Sequence, residues 1–168
     1  ALEVIIREHS RCCHHDYAEA HQWLDVDITG ITAGRKAEGS TKGYFSHAAG
    51  ARGRQVGRVL ASRYNEIVVD QLFPGHVQLE RSLQGLVLAA EAILELDEAK
   101  RAQTFVRVDG GGGHDEDLNW LLERHYLVLV KVKNWQRSQK LLKRVKVWYC
   151  DEKDPKRRLG HTEPSHDY

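Results

Sequence analysis

The chain has 168 residues, a mass of 19.2 kDa and a formal net charge of +1, with 41% hydrophobic and 29% charged residues. This length and composition suit one globular domain and argue against wholesale disorder. They also argue against a membrane-spanning helix, which needs about 18 apolar residues, because polar residues interrupt the most apolar stretch, 83–96. The sequence contains no methionine, even at position 1, so we expect it to be a piece of a longer protein.

Charge is strongly segregated along the chain. Residues 35–63 carry seven Lys or Arg against one acid, and residues 134–158 carry nine against three. Between them, residues 64–98 carry seven acids against one base. Two basic blocks on a nearly neutral chain indicate a surface that binds a polyanion, although two solvated surface strips would give the same pattern.

The three cysteines do not indicate a disulfide framework, because their number is odd and two of them are adjacent, so a reducing compartment is expected. The run Cys12-Cys13-His14-His15 has the residue types of a zinc site. Its spacing is unfavourable, since adjacent side chains point apart and zinc ligands of one pair usually lie about two to four residues apart. We therefore interpret the run as an ordinary segment before the first strand.

Six apolar segments have the composition or the two-residue alternation of β-strands: 23–28, 55–63, 66–70, 104–109, 126–132 and 145–150. The first is predicted to end at Thr29-Gly30, and the segment 126–132 is apolar enough to be a buried strand. Glycines make residues 30–53 an irregular loop or hairpin arm.

Helical periodicity is clearest over residues 76–102. Its apolar positions recur at intervals of three and four residues, at Leu79, Leu83, Leu86, Val87, Ala90, Ile93 and Leu94. These positions are predicted to pack on the sheet, with the acidic residues of the helix facing water. A second helix is predicted from Asp115, because acids favour a helix N-terminus, and a weaker one over residues 138–143.

Three successive strands followed by helix, strand, helix and strand predict an α/β fold. Its sheet is mixed, with a three-strand antiparallel meander and then alternating helices and strands. Around this core of residues 22–150 we expect an N-terminal arm, residues 1–21, and a polar, poorly ordered tail, residues 151–168.

Two aspartates, Asp27 and Asp109, end apolar strands, where a carboxylate is rigidly held and faces the edge at which ligands collect. If the strands are neighbours, the two carboxylates can share Mg²⁺ or Mn²⁺, and paired metals about 4 Å apart support phosphodiester chemistry. The glycines 110–113 would let a phosphate backbone approach closely. The alternative is that each aspartate only caps a turn or a helix. Asp25 faces the same side as Asp27, but Asp27 is preferred because it lies at the strand end.

Several segments resemble bacterial insertion-sequence transposases of the DDE class. They are LDVDITG at 24–30, KAEG at 36–39 with KGYF at 42–45, VVDQLFPG at 68–75, and VRVDGGG at 106–112 followed by LNWLL at 118–122. The similarity extends from about residue 22 to residue 150, with the segments in the family's order. It implies a ribonuclease-H-like core, here incomplete, that uses Mg²⁺ or Mn²⁺ to cleave DNA at transposon ends and transfer the strands into target DNA.

The resemblance also implies roles for individual residues. Asp27, in the pattern Asp-x-Thr, corresponds to the first catalytic, metal-binding acid, and Asp109 to the second. The third is a glutamate on a late helix, for which Glu152 and Glu163 are poor matches because they lie in proline- and charge-rich sequence. We therefore expect this chain alone to be inactive, as an internal fragment or a decayed gene copy.

The basic segments and the resemblance together predict the DNA-binding residues Arg35, Lys36, Lys42, Arg52, Arg54, Lys131, Lys133 and Arg137. The resemblance further implies a homodimer in the full-length protein and a cytoplasmic, nucleoid-associated location in a bacterium. Two alternatives remain open: a ribonuclease-H-like nuclease that does not join ends, and a non-catalytic module that only binds DNA.

Overall fold

The computed structural model describes residues 2–46, 48–109, 114–131 and 135–162. The chain divides into two compact units, Ala1–Lys131 and Val132–Tyr168. The predicted boundaries fell after residues 21 and 150, whereas the first unit includes the N-terminal arm and ends at Lys131. None of the helices in the described ranges is long and apolar enough to span a lipid bilayer.

The first unit is built on a mixed sheet. Its strands within the described residues are β1 Gln22–Thr32, β2 Thr41–Lys42, β3 Arg52–Ala61, β4 Glu66–Pro74, β5 Thr104–Val108 and β6 Leu127–Val130. β3 runs antiparallel to β1, β2 and β4, whereas β5 is parallel to β1 and β6 is parallel to β5. The predicted α/β class and mixed sheet are therefore confirmed, with β1 between the antiparallel and the parallel strands.

Gly30 does not end the first strand, contrary to the prediction, since β1 continues to Thr32. Gly30 pairs with Gln55 on β3, and the ring of Phe45 lies directly over it. A Cβ atom at Gly30 would lie 2.6 Å from Cδ1 of Phe45, which is too close for a contact without displacement. The glycine thus admits an aromatic ring against the sheet instead of stopping the strand.

Helices and 3₁₀ turns complete the first unit. In chain order they are α1 Leu2–His9, a 3₁₀ turn Arg11–His14, a 3₁₀ turn Leu79–Arg81, α2 Leu83–Leu94, α3 Glu98–Arg101 and α4 Asp115–Glu123. The single helix predicted over residues 76–102 is therefore wrong. Glu95 adopts a left-handed conformation with φ of 52°, which ends α2, and the side chain of Asp97 accepts a hydrogen bond from the backbone N–H of Lys100, which starts α3.

The predicted apolar positions around α2 do pack into the core. Leu79, Leu83, Leu86, Val87, Ala90 and Leu94 are all buried, in one cluster with residues of β1, β3 and β5. Cys12 belongs to the same cluster, so the N-terminal segment is part of this unit.

One acidic residue of α2 does not face water as predicted. The Glu91 side chain is 10% exposed and accepts hydrogen bonds from Arg124, at 3.0 and 2.5 Å, and from the Tyr126 hydroxyl at 2.9 Å. These contacts join α2 to the end of α4, so the buried charge is paired.

β6 is an edge strand and is not fully buried as predicted, because Leu129 is 47% exposed. The second unit contains α5 Trp135–Arg144 and an antiparallel pair, β7 Trp148–Cys150 with β8 Arg158–Gly160. The predicted tail therefore includes a strand.

Truncating Leu86 tests the packing of α2. This side chain is fully buried and packs against Gly57 on β3. It lies so close that a Cβ atom at Gly57 would be 2.8 Å from Cδ1 of Leu86. We expect Leu86→Ala to lower the free energy of unfolding by about 2–5 kcal/mol, because it leaves a cavity in the core. Leu88→Ala is the matched control on the same helix. Leu88 is 45% exposed, so this substitution should change the free energy of unfolding by no more than about 0.5 kcal/mol. Urea unfolding followed by circular dichroism measures both, and equal losses would contradict this packing.

Candidate active site

The structure brings Asp27 and Asp109 together. β1 and β5 are parallel, and Val26 on β1 is paired with Val108 on β5. Asp27 is the next residue after Val26, and Asp109 is the next residue after Val108. Neighbouring strands lie about 4.8 Å apart. The two carboxylates therefore belong to adjacent chain segments at the carboxyl end of β5, and both line one cavity.

This cavity has a volume of about 400 Å³ and is open to solvent. β1, β5 and β6 supply its walls, and its charged lining residues are Asp25, Asp27, Arg107, Asp109 and Lys131. Arg107 forms an ion pair with Asp25, which compensates one of the three negative charges. The five charged lining residues by themselves sum to one negative charge, which attracts a cation.

Asp25 and Asp27 differ in their surroundings although they share one face of β1. Asp27 is exposed, and one of its carboxylate oxygens accepts a hydrogen bond of 2.7 Å from the backbone N–H of Ile28. Asp25 contacts the Arg107 guanidinium through Oδ2, while its Oδ1 is buried and has no hydrogen-bond partner among the described residues. Asp27 is thus the better placed of the two to bind an ion from solvent.

The donor set of the cavity fits magnesium. Mg²⁺ usually binds one or two carboxylates and completes its shell with water and phosphate oxygens. Two aspartates in an open cavity meet that requirement for a single ion. In the described part of the chain, no group of three or more His, Cys, Asp or Glu side chains is arranged to hold a metal.

Glu116, Glu152 and Glu163 are the glutamates to compare with the expected third acid. Glu116, on α4, lines a separate cavity with Glu80, His114 and Asp117. Glu152 belongs to the second unit, and Glu163 lies outside the described residues. Glycines 110–113, predicted to admit a phosphate backbone, also lie outside them.

The predicted DNA-binding residues occupy several positions. Arg35 and Lys36 lie in the turn after β1, Lys42 lies on β2, and Lys131 follows β6 beside the cavity; all four are exposed. Lys133 lies outside the described residues. Arg137 lies in α5 of the second unit, and its side chain is not described.

Arg52 and Arg54, also predicted to bind DNA, are half-buried. Arg52 donates a hydrogen bond of 2.9 Å to the carbonyl of Ser40, and Arg54 lies against Gly39. The turn that carries Gly39 and Ser40 therefore covers part of both guanidinium groups. Because Arg52 and Arg54 contact this turn, they are less accessible to a ligand than the exposed basic residues.

Two arginines beside the cavity were missed by the sequence analysis. Arg107 lies two residues before Asp109, a spacing that puts both side chains on one face of a strand. Arg58 is the register partner of Asp27 and holds Asp70 through two hydrogen bonds of 2.7 Å each. The spacing of Arg107 could have been recognised, but the pairing of Arg58 depends on strand register.

The Cys12–His15 run is structural. Cys12 is buried, and burial foremost raises the pKa of its thiol to about 12. The two ring nitrogens of His15 lie 2.6 Å from the Tyr64 hydroxyl and 2.8 Å from the carbonyl of Ala20. Both nitrogens are therefore occupied, so the run is not arranged as a zinc site.

No model of a known protein family matches the chain, and no curated protein matches it. The chemistry of the cavity is therefore inferred from its own residues.

The thiols provide a test of this placement. At pH 8 the Cys12 thiol stays protonated, because its pKa is raised to about 12, and it is shielded from reagents. Cys150 is exposed. We expect iodoacetamide to label Cys150 within minutes and Cys12 only after denaturation, as measured by peptide mass spectrometry. Equal labelling of both in the folded protein would contradict the burial of the N-terminal segment.

Proposed function

We propose that this chain is the ribonuclease-H-like core of a DDE transposase, in which Asp27 and Asp109 hold Mg²⁺ or Mn²⁺ for DNA strand cleavage and transfer. The observation that carries the proposal is that these two acids, distant in sequence, line one cavity on adjacent parallel strands. The succession of an antiparallel meander and parallel strands also agrees with the fold that the sequence motifs imply.

The cavity suits phosphodiester chemistry. A divalent ion bound there would lower the pKa of an attacking water or hydroxyl and stabilise the leaving oxygen. The chain's own part is to fix two carboxylates on rigid strands, so that they need no reorganisation to bind the ion. Lys131, beside Asp109, adds a positive charge at the position where a DNA phosphate would enter.

The partners we propose are transposon-end DNA and target DNA, and a second copy of the chain in the full-length protein. The exposed residues Arg35, Lys36, Lys42 and Lys131 supply the positive charge. Such contacts release counterions from DNA, so binding is strong at low salt and weak at high salt.

A second candidate is a module that binds DNA without cutting it. It is favoured because Asp25, the third acid that the described residues place in the cavity, is already paired with Arg107. A ribonuclease-H-like nuclease would use the same cavity, but it would cut DNA without joining ends. An assay of the full-length protein that follows both cutting and joining separates these candidates.

Salt-dependent binding is the first test. We expect the chain to bind duplex DNA with an affinity that falls linearly on a log–log plot against salt. Lys36→Gln and Lys42→Gln should each weaken binding and reduce the salt slope by about 1, because each removes one phosphate contact. Arg81→Gln, an exposed charge in the acidic segment, is the control and should leave the slope unchanged. Fluorescence anisotropy measures all four proteins, and salt-independent binding would contradict the proposal.

Cleavage is the second part of the same test. With Mg²⁺ or Mn²⁺ we expect no nicking of labelled duplex DNA above the level of Asp109→Ala. The reason is that a two-acid site lacks a ligand for a second metal, and metal stabilisation is usually the largest catalytic term. Nicking that disappears in Asp109→Ala would show that another acid completes the site, and Asp25 is the first to substitute because it lines the same cavity.

A further inference from the structure

We propose that Arg107 is a phosphate-binding residue of the cavity, which receives a phosphate of the DNA strand next to the metal held by Asp27 and Asp109. This inference rests on the proposed function, since it takes a DNA phosphodiester as the ligand. Its basis is the way in which Arg107 is held, which differs from that of a neighbouring arginine on the same face of the sheet.

Strand register fixes the position of Arg107. It is paired with Asp25 on β1 and with Leu129 on β6. Arg107 therefore lies on β5, the central one of the three strands that form the cavity. Alternation along β5 places its side chain on the same face as Asp109. Arg107 therefore lies two residues before Asp109, on the face of the sheet that carries the carboxylates that would hold the metal.

Its contacts leave hydrogen-bonding capacity unused. Arg107 bonds to Asp25 through one terminal nitrogen, and among the described residues it makes no other side-chain hydrogen bond. Half of its side chain is exposed. A guanidinium carries five N–H donors in a planar fork, and the described residues occupy one of them.

The neighbouring pair Arg58–Asp70 provides the comparison. Arg58 faces the same side of the sheet and is 46% exposed, close to the 50% of Arg107. It binds Asp70 through two nitrogens at 2.7 Å each, which occupies the fork and is the expected geometry of a purely structural pair. The Arg107–Asp25 pair is monodentate, and within the described ranges Oδ1 of Asp25 is buried with no hydrogen-bond partner, so the pair is poorly optimised for stability.

The charge of the site also requires a cation at this position. A DNA phosphate that approaches Asp27 and Asp109 is repelled by both carboxylates unless positive groups compensate them. Bound metal supplies that charge, and Arg107, whose own charge is paired with Asp25, contributes N–H donors that Asp25 does not use. Its planar fork matches two phosphate oxygens, which a lysine cannot do.

The test measures the DNA affinity of the full chain by fluorescence anisotropy, with Mg²⁺ present, over a series of salt concentrations. Arg107→Gln is compared with Arg58→Gln, which removes the same charge from the same face. We expect Arg107→Gln to weaken binding about tenfold and to lower the salt slope by about 1. Arg58→Gln should change the affinity less than twofold, because its fork is already occupied by Asp70.

A second variant covers the case in which Arg107→Gln unfolds, as checked by circular dichroism. Arg107→Lys keeps the charge but lacks the fork, so we expect a loss of affinity of about threefold with the salt slope unchanged. Wild-type affinity in Arg107→Lys, or equal effects of Arg107→Gln and Arg58→Gln, would overturn the role of Arg107 while leaving the proposed function intact. A wild-type chain that does not bind DNA at low salt would instead overturn the proposed function.

Discussion

The parallel pairing of β1 with β5 is the constraint on which the candidate site depends. Leu24 and Val26 on β1 and Val106 and Val108 on β5 are buried together beneath the helices, and this burial fixes the register. A shift of one residue would move Asp27 to the helix-covered face, because side chains alternate along a strand. The hydrophobic core thus determines the position of the two carboxylates, although neither belongs to it.

Charge on the open face is arranged across the strands. In register order, Asp70 on β4 faces Arg58 on β3, and Arg58 faces Asp27 on β1. Beyond β1, Asp109 and Lys131 follow β5 and β6. Like charges opposite each other in a sheet are unfavourable, so the adjacency of Asp27 and Asp109 is a cost that a bound cation would remove. Metal binding should therefore also stabilise the folded state.

Local patterns in the sequence were sufficient to identify the principal strands, the apolar positions of α2 and the position of Asp109 directly after β5. Asp27 was expected at a strand end, but it lies within β1, which continues to Thr32. Features that depend on distant residues were not visible. Glu91 is buried because Arg124 and Tyr126, which follow α4, bind it, and no pattern within α2 indicates this. The break at Glu95 was missed for another reason: apolar periodicity continues across it, and only the backbone conformation and the Asp97 cap reveal the end of the helix.

The candidate site was predicted in part. The sequence indicated the two aspartates and a surplus of basic residues, but it treated Arg52 and Arg54 as free to contact DNA. The turn at Gly39 and Ser40 covers part of both guanidinium groups, a contact that depends on the fold of residues 33–40. Arg107 was overlooked although its spacing from Asp109 could have been recognised; its pairing with Asp25 depends on the strand register.

The central claim, that Asp27 and Asp109 bind one divalent ion together, can be tested by replacing Mg²⁺ with Fe²⁺ and adding ascorbate and peroxide. Hydroxyl radicals formed at a bound ion cut the nearby backbone, and mass spectrometry locates the cuts. The account predicts cuts close to residue 27 and close to residue 109, both suppressed by Mg²⁺ and both lost in either Asp27→Asn or Asp109→Asn. Cuts near only one of the two residues, or cuts that persist in the variants, would contradict it.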